Sequence, residues 1–399
     1  MFEKIFHLKE NHTDVKTEVM AGITTFMTMA YILAVNPSVL GSTGMDTTAV
    51  LLATALASCL GTLCMAFMAN LPFALSAGMG LNAFMAYTVV AGYGYSWQVA
   101  LFAVFIEGLI FIVLSLTNIR EAIFNAIPLT LKKGVSVGIG LFIAFIGLQN
   151  SGLCVDSATL VTIISFPENF HTAGICALLT LVGLFFTAVF YARKMKGAIL
   201  YGILLTWVLG MICQVTGIYV PTPDAGFYSL FPSWGMTDFS KLGLTFGQCF
   251  NLDFGAVGIV NFIVVIFSFL FVDIFDTLGT LIGVATKAKM LDKDGHLPGI
   301  KPALMADSIA TSAGALLGPS PTPTVVESAS GVAVGGRTGL TALVTGILFL
   351  VSTLFAPIFT AIPSFATAPA LIMVGFLMVG TVTEINFDLD NLTESIPAY

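Results

Sequence analysis

Apolar and polar positions along this chain fall into long blocks, with short polar punctuation between them. Apolar runs recur near 19–40, 47–70, 73–91, 97–117, 133–150, 173–191, 197–215, 256–284, 302–317, 338–356 and 361–380. A helix needs about 20 apolar residues to cross a bilayer, so each run predicts a crossing. A wetter connection, 216–253, holds prolines and aromatics. One stretch belongs to neither kind. Gly318 to Gly339 reads GPSPTPTVVESASGVAVGGRTG, with three prolines, a lone carboxylate at Glu327, and Arg337 near its end. Non-helical backbone at membrane depth survives only where protein or a water-filled cavity covers it. The stretch is therefore expected to be a broken segment forming one wall of a binding site. Counted as a crossing, it brings the total to about twelve.

Composition fixes the class. Hydrophobic residues make up 57% of the chain, charged residues 9%, and mean hydropathy is +0.97. A soluble domain carries roughly 25% charged residues, so the reading is an all-α polytopic membrane protein whose surroundings are a lipid bilayer. No basic patch with interleaved aromatics is present, which argues against nucleic acid as a partner. Residues 1–18 carry seven charges and the run after them is too long for a signal-peptide core. With the N-terminus placed inside, every Lys and Arg except Lys241 falls on the inner side, as positive-inside topology requires. Six scattered cysteines form no CxxC pair; Cys154 and Cys249 flank runs on the outer side, where a bridge between them is possible.

Internal symmetry sharpens the picture. Ala126-Ile127-Pro128 opens the fifth run from the inside, and Ala361-Ile362-Pro363 opens the twelfth from the outside. Leu71-Pro72 leads into Ser76-Ala-Gly-Met-Gly-Leu-Asn82, a second break in the position matching Gly318–Gly339. Paired interruptions in two inverted halves mark a midplane site. Seven spans in the first half against five in the second imply inverted seven-span repeats, with the last two of fourteen spans missing from this chain.

Ionisable groups inside the runs are Glu107, Asp273, Asp276, Asp307 and Glu327. Each costs roughly 2.5–3.5 kcal/mol at mid-membrane on insertion scales, so each requires a reason. Asp273 and Asp276 stand three apart and share a helix face; two carboxylates that close cannot both ionise easily, and one can carry a proton. The plainer alternative is a pair bonding backbone at a helix break. Glu327 can accept from a substrate N–H or from the backbone of its own segment. Asn82 can read a heterocycle edge, since its amide donates and accepts, or can stabilise a turn. Glu107 reads as a packing partner, and Asp307 as a solvated or capping group near its helix's inner end.

Other patterns fail. Gly331–Thr338 approaches a phosphate loop, but Arg337 replaces its lysine. Asp292–Gly295 lacks the closing Glu of a calcium loop. The Asp273/Asp276 pair lacks the Gly-x-Gly-Asp context of intramembrane proteases. The sequons at Asn11 and Asn391 lie on the inner side. No metal, no cofactor and no enzymatic activity is expected. A channel would need a continuous polar lining, whereas these groups cluster at one depth.

Gly22-Ile-Thr-Thr-Phe-Met-Thr-Met-Ala-Tyr-Ile-Leu-Ala-Val-Asn-Pro37, Ser76–Phe84, Asp273-Ile-Phe-Asp-Thr-Leu-Gly279, Glu327-Ser-Ala-Ser-Gly331 and Gly335–Gly339 together resemble the AzgA-like purine permeases of the nucleobase–ascorbate transporter superfamily. The resemblance implies the fourteen-span fold shared with the uracil permease. It implies a cytoplasmic tail at 1–18, a core domain at 19–117 and 254–356, and a gate domain at 118–215 and 357–399, the latter truncated, with 216–253 as an extracellular connection. It implies proton-coupled uptake of adenine, guanine and hypoxanthine across the inner (plasma) membrane, with another nucleobase such as xanthine or uracil as the alternative; a homodimer is compatible with it. Asn82, Asp273 and Glu327 match its purine-contacting positions, and Asp276 a position tied to transport, plausibly the proton. Pro319, Pro321 and Pro323 stand where the family has a Thr/Ser-rich run.

Overall fold

The computed structural model describes residues 2–117, 129–157, 160–222, 227–232, 235–252, 258–287, 290 and 297–385. The Ala126–Pro128 tripeptide, the Asp292–Gly295 loop and the Asn391 sequon lie outside the described residues. The helices are α1 (Phe2–Phe6), α2 (Val15–Met29), α3 (Ile32–Gly41), α4 (Thr47–Cys64), α5 (Met79–Ala83), α6 (Trp97–Leu116), α7 (Leu129–Asn150), α8 (Ile175–Ala192), α9 (Ala198–Val215), α10 (Ile259–Lys287), α11 (Ile300–Leu317), α12 (Ser328–Val334), α13 (Gly339–Ser352), α14 (Ala356–Thr360) and α15 (Ser364–Val379). Wide π turns extend α4 over Met65–Ala69 and α5 over Phe84–Gly92.

Among the described residues, eight helices are long and apolar enough to cross a membrane. The remaining expected crossings are of other kinds. The α5 extension (Met79–Gly92) and α15 are shorter apolar helices. The helix α11 is long enough but carries Asp307, Ser308, Thr311 and Ser312. The segment before α12 is extended. The chain is a multi-pass membrane protein. A hairpin that the hydropathy pattern did not announce, β1 (Cys154–Ser157) with β2 (Leu160–Ile163), projects between α7 and α8. Its Cys154 and the fully buried Cys249 are both free thiols, which removes the bridge considered between them.

Local chemistry starts the helices where the sequence places caps. Asp14, Asp46 and Ser96 accept the N–H of Thr17, Ala49 and Val99 at the first turns of α2, α4 and α6. Pro37 inside α3 removes one N–H and crowds the carbonyl four residues back, and the first crossing is interrupted nearly two turns earlier, at Ala30–Tyr31. One group of helices packs α11 against α4 and α6, α13 against α2 and α4, and α12 against α2; a second packs α15 against α7, α8 and α9.

The two ends of α4 carry different chemistry. At its start, Asp46 pairs with Lys241 at 3.0 Å. Burial pushes the Asp46 carboxyl upward, but the Ala49 N–H and Lys241 outweigh it and hold it below the ordinary value. Beyond its other end, Asn70 takes a left-handed conformation (φ 51°), donates to the Phe6 carbonyl and accepts the N–H of Gly339. Here Glu18, fully buried, accepts the backbone N–H groups of Arg337, Thr338 and Thr341 and the Thr341 hydroxyl. It is the carboxylate cap of α13, set from a helix more than 300 residues earlier in the chain. Phe6 and Leu8 are also buried, so the N-terminal residues are packed onto this end.

Candidate functional site

Two interrupted segments build the site. In the first, Leu71–Gly78 runs extended into α5. In the second, Pro319–Glu327, an extended run at 321–325 leads through a turn at Val326 and Glu327 into α12. They lie antiparallel, bridged at Leu75 and Thr324. Ser76 N donates to the Pro323 carbonyl at 3.1 Å and Gly78 N to that of Pro321 at 3.3 Å, while Val325 N returns a bond to Ala74 at 3.1 Å. The proline spacing of two now has a reason. In an extended strand alternate residues face the same side, so Pro321 and Pro323 turn their carbonyls toward the first segment, while the Pro319 carbonyl, beyond Ser320, accepts the Asn82 and Asn36 amides. A proline offers an acceptor and no donor, which suits a strand that only accepts there. Ser320, between two prolines, sits at φ 80°, a conformation that non-glycine residues rarely hold.

The other edge of the second segment faces α11. Thr324 N donates to Asp307 Oδ1 at 3.0 Å, and Thr277 Oγ1 donates to the same oxygen at 2.8 Å. Asp307 is fully buried in mid-helix. The expectation of a solvated group near the helix end is corrected, while a capping role is what it performs, on the broken segment and not on its own helix. Its partner Thr277 also lies 3.2 Å from Asp273 Oδ1, and Asp273 is fully buried. Asp276, one turn along the same helix α10, is half-buried and within electrostatic reach of Glu327 and Asp307.

Glu327 occupies the N-cap position of α12, where the helix dipole favours negative charge. Its Oε1 accepts the Tyr31 hydroxyl at 2.6 Å. Tyr31 comes from the Ala30–Tyr31 interruption and is almost wholly buried. Gly331 lets α12 lie directly against α2: a Cβ there would collide with Thr25 Oγ1 and the Ala21 carbonyl. Thr28 and Ser330 hydroxyls add a bond of 2.7 Å across that contact. Gly335 (φ 115°) ends α12, and the Arg337 guanidinium donates to the Val332 and Gly336 carbonyls behind it.

Asn82 is fully buried, and both of its N–H groups are occupied, one by Asn36 Oδ1 and one by the Pro319 carbonyl at 3.1 Å. Asn36 in turn donates to Thr54 Oγ1 at 2.8 Å. Among the described residues Asn82 Oδ1 has no hydrogen-bond partner. Glu327 and Asp276 thus come together around Tyr31, Asp273 is set behind them beside Thr277 and Asp307, and Asn82 holds the start of the second segment. Glu107 is fully buried in the middle of α6. Sequence reading passed over Tyr31, Asn36 and Glu18. A polar residue directly before Pro37 inside an apolar run was the available signal for Asn36; Tyr31 and Glu18 gave none that distinguishes them from ordinary span and tail residues.

An apolar cavity of about 530 Å³ runs beside α10 toward α7, walled by Phe84, Phe267, Phe271 and Phe275, and holds none of the carboxylates. A polar cavity of about 900 Å³ opens at the Glu18 end, lined by His12, Asp14, Asn70 and Arg337 among others. Among the described residues no group of three or more His, Cys, Asp or Glu side chains could hold a metal ion.

Known proteins resemble this chain in fold and in sequence. The transmembrane domain of a cyanobacterium bicarbonate transporter, BicA, superposes with a TM-score of 0.67 at 16% identity, covering 96% of this chain and 93% of that one. That likeness concerns the fold. The guanine/hypoxanthine permease PbuO of Bacillus subtilis is 44% identical over 402 residues, spanning 99% of this chain and 88% of its own length. The adenine permease AdeP of Escherichia coli is 41% identical over 404 residues, spanning 100% and 84%. The family described as the Permease family, Xan_ur_permease, matches residues 16–395. The chain therefore belongs to this permease family, within the nucleobase–ascorbate transporters.

Proposed function

We propose that the protein takes up purine nucleobases across the cytoplasmic membrane by proton symport, with its N-terminus on the inner side. The observation that carries this reading is the meeting of Glu327, Asp276 and Tyr31 where two interrupted segments run side by side. Relatives named for adenine, guanine and hypoxanthine support the substrate class. In this reading Glu327 accepts a ring N–H and Asp273 supplies a second acceptor when the site is loaded. Asn82 contributes its carbonyl oxygen, its N–H groups being held by Asn36 and Pro319. The carboxylates of α10, Asp276 and Asp273, take up the coupling proton, which lets the loaded site move with less charge. The inward potential then drives the cycle.

The helices around α2, α4, α6, α11 and α13 act as the core that carries the site, and those around α7, α8, α9 and α15 as part of the gate it moves against. The phenylalanine-walled cavity beside α10 and α7 lies on the seam between the two groups, where a flat heterocycle can approach over aromatic faces. The clustered acids disfavour an anion as cargo, in spite of the shared fold with a bicarbonate transporter. Uptake of labelled hypoxanthine by cells lacking their own purine permeases tests the proposal. Accumulation above background that collapses with a protonophore is the expected result. Accumulation of uracil or xanthine in place of adenine, guanine and hypoxanthine would move the substrate to the alternative nucleobases, and no accumulation of any base would overturn the reading.

A further inference from the structure

Tyr31 is not accounted for by the roles given above. Its ring is buried to 1% exposure, and its one hydroxyl hydrogen lies on Glu327 Oε1 at 2.6 Å. It cannot easily leave. The helix that leads into it, α2, is clamped to α12 by the Gly331 contact and by the Thr28–Ser330 bond. Tyr31 and Glu327 are therefore parts of one rigid body, and the same oxygen of the carboxylate stays covered. Glu327 itself is only half-buried, so the carboxylate keeps an open part beside its bond to Tyr31.

We propose that Tyr31 is a positioning residue that leaves Glu327 a single oxygen for substrate, and so sets selectivity among purines. The proposal rests on the purine-transport reading. A carboxylate with both oxygens open binds paired donors in a fork. Guanine has such a pair in its N1–H and 2-amino group; hypoxanthine has N1–H alone. With Oε1 already taking the Tyr31 hydroxyl, a fork onto both oxygens meets one acceptor that is already shared, so the 2-amino group of guanine gains little and the two bases are read alike. A phenol supplies one donor and holds it in place through a stiff ring, which a flexible serine or a water would not do.

The test uses the full chain in proteoliposomes, with labelled hypoxanthine and unlabelled guanine, hypoxanthine and adenine as competitors. In the unaltered protein, guanine and hypoxanthine should compete within about threefold of each other, less than the ~1.4 kcal/mol that a tenfold difference represents. In Tyr31→Phe the freed oxygen should shift the ratio toward guanine by about tenfold. A merely structural role for Tyr31 would weaken both bases equally, and that result would overturn the proposal. So would a tenfold preference for guanine in the unaltered protein, an arm that does not depend on the variant folding. If neither base competes with or enters the unaltered protein, the reading beneath falls with it; if both enter and the ratio stays fixed in Tyr31→Phe, this proposal alone falls.

Discussion

The two interrupted segments are alike in position and opposite in chemistry. The first, Leu71–Gly78, offers N–H donors at Ser76 and Gly78 and continues into an apolar helix as far as Gly92. The second, Pro319–Glu327, offers carbonyls from three prolines and continues into the seven-residue α12. The first ends on a neutral amide, Asn82; the second on a carboxylate, Glu327. Two of the three backbone rungs run from the first segment to the second, and one, from Val325 N to Ala74, runs back. The prolines fix which way the first two point.

The comparison can be broken most forcefully at its charged end. Glu327→Ala is expected to lower purine uptake on the order of 100-fold, the equivalent of a charged hydrogen bond of about 3 kcal/mol. Uptake within threefold of the unaltered protein, at equal amounts in the membrane, would remove Glu327 from the site. Asn82→Ala tests the neutral end. It leaves Asn36 Oδ1 without its donor and the Pro319 carbonyl with only the longer 3.5 Å bond from Asn36 Nδ2, at roughly 1–3 kcal/mol for a buried group left unsatisfied, so thermal stability in detergent should fall by several degrees. Asn82→Asp should be worse than Asn82→Ala, because it sets an acceptor against the acceptors at Asn36 and Pro319. Equal stability for the two variants would mean the amide is not holding that segment.

Pro323→Ala should do little. The new N–H would face the Ser76 carbonyl and could complete the pair, while the chain loses the restriction that proline places on the unfolded state, ~0.4–1 kcal/mol. Uptake retained with a stability change within about 1 kcal/mol is the expected outcome; a larger loss would show that the prolines do more than accept. The smallest effect belongs to Asp46, far from both segments. Its folded value is depressed, so its contribution is present above the ordinary value near 3.8 and fades as pH falls through the folded one. For so exposed a pair the loss should stay below about 0.5 kcal/mol, and Asp46→Asn should abolish that slope in a melting series between pH 6 and pH 3. A steep acid transition that survives Asp46→Asn would point back to the buried carboxylates.

Much of the fold was written in block hydropathy, because lipid exposure forces long apolar helices. Both interruptions were legible too, since proline, glycine and a lone carboxylate are out of place in a lipid-facing helix. Asp307 was misread because sequence distance from the run's edge says nothing about what a neighbouring segment needs; its N–H partner, Thr324, belongs to the break. The hairpin of β1 and β2 was invisible because four-residue strands at a surface leave no periodic signal. Tyr31 was hidden for a different reason. An aromatic residue among apolar neighbours looks like packing until the carboxylate it faces, nearly 300 positions away, is in place.

Glu18 has a consequence for the order in which the protein is made. Its carboxylate emerges from the ribosome 319 residues before Arg337, the first of its N–H partners. The four bonds that close around it therefore cannot form until the start of α13 has been made. A chain cut before Arg337 holds the carboxylate and none of the groups that it caps.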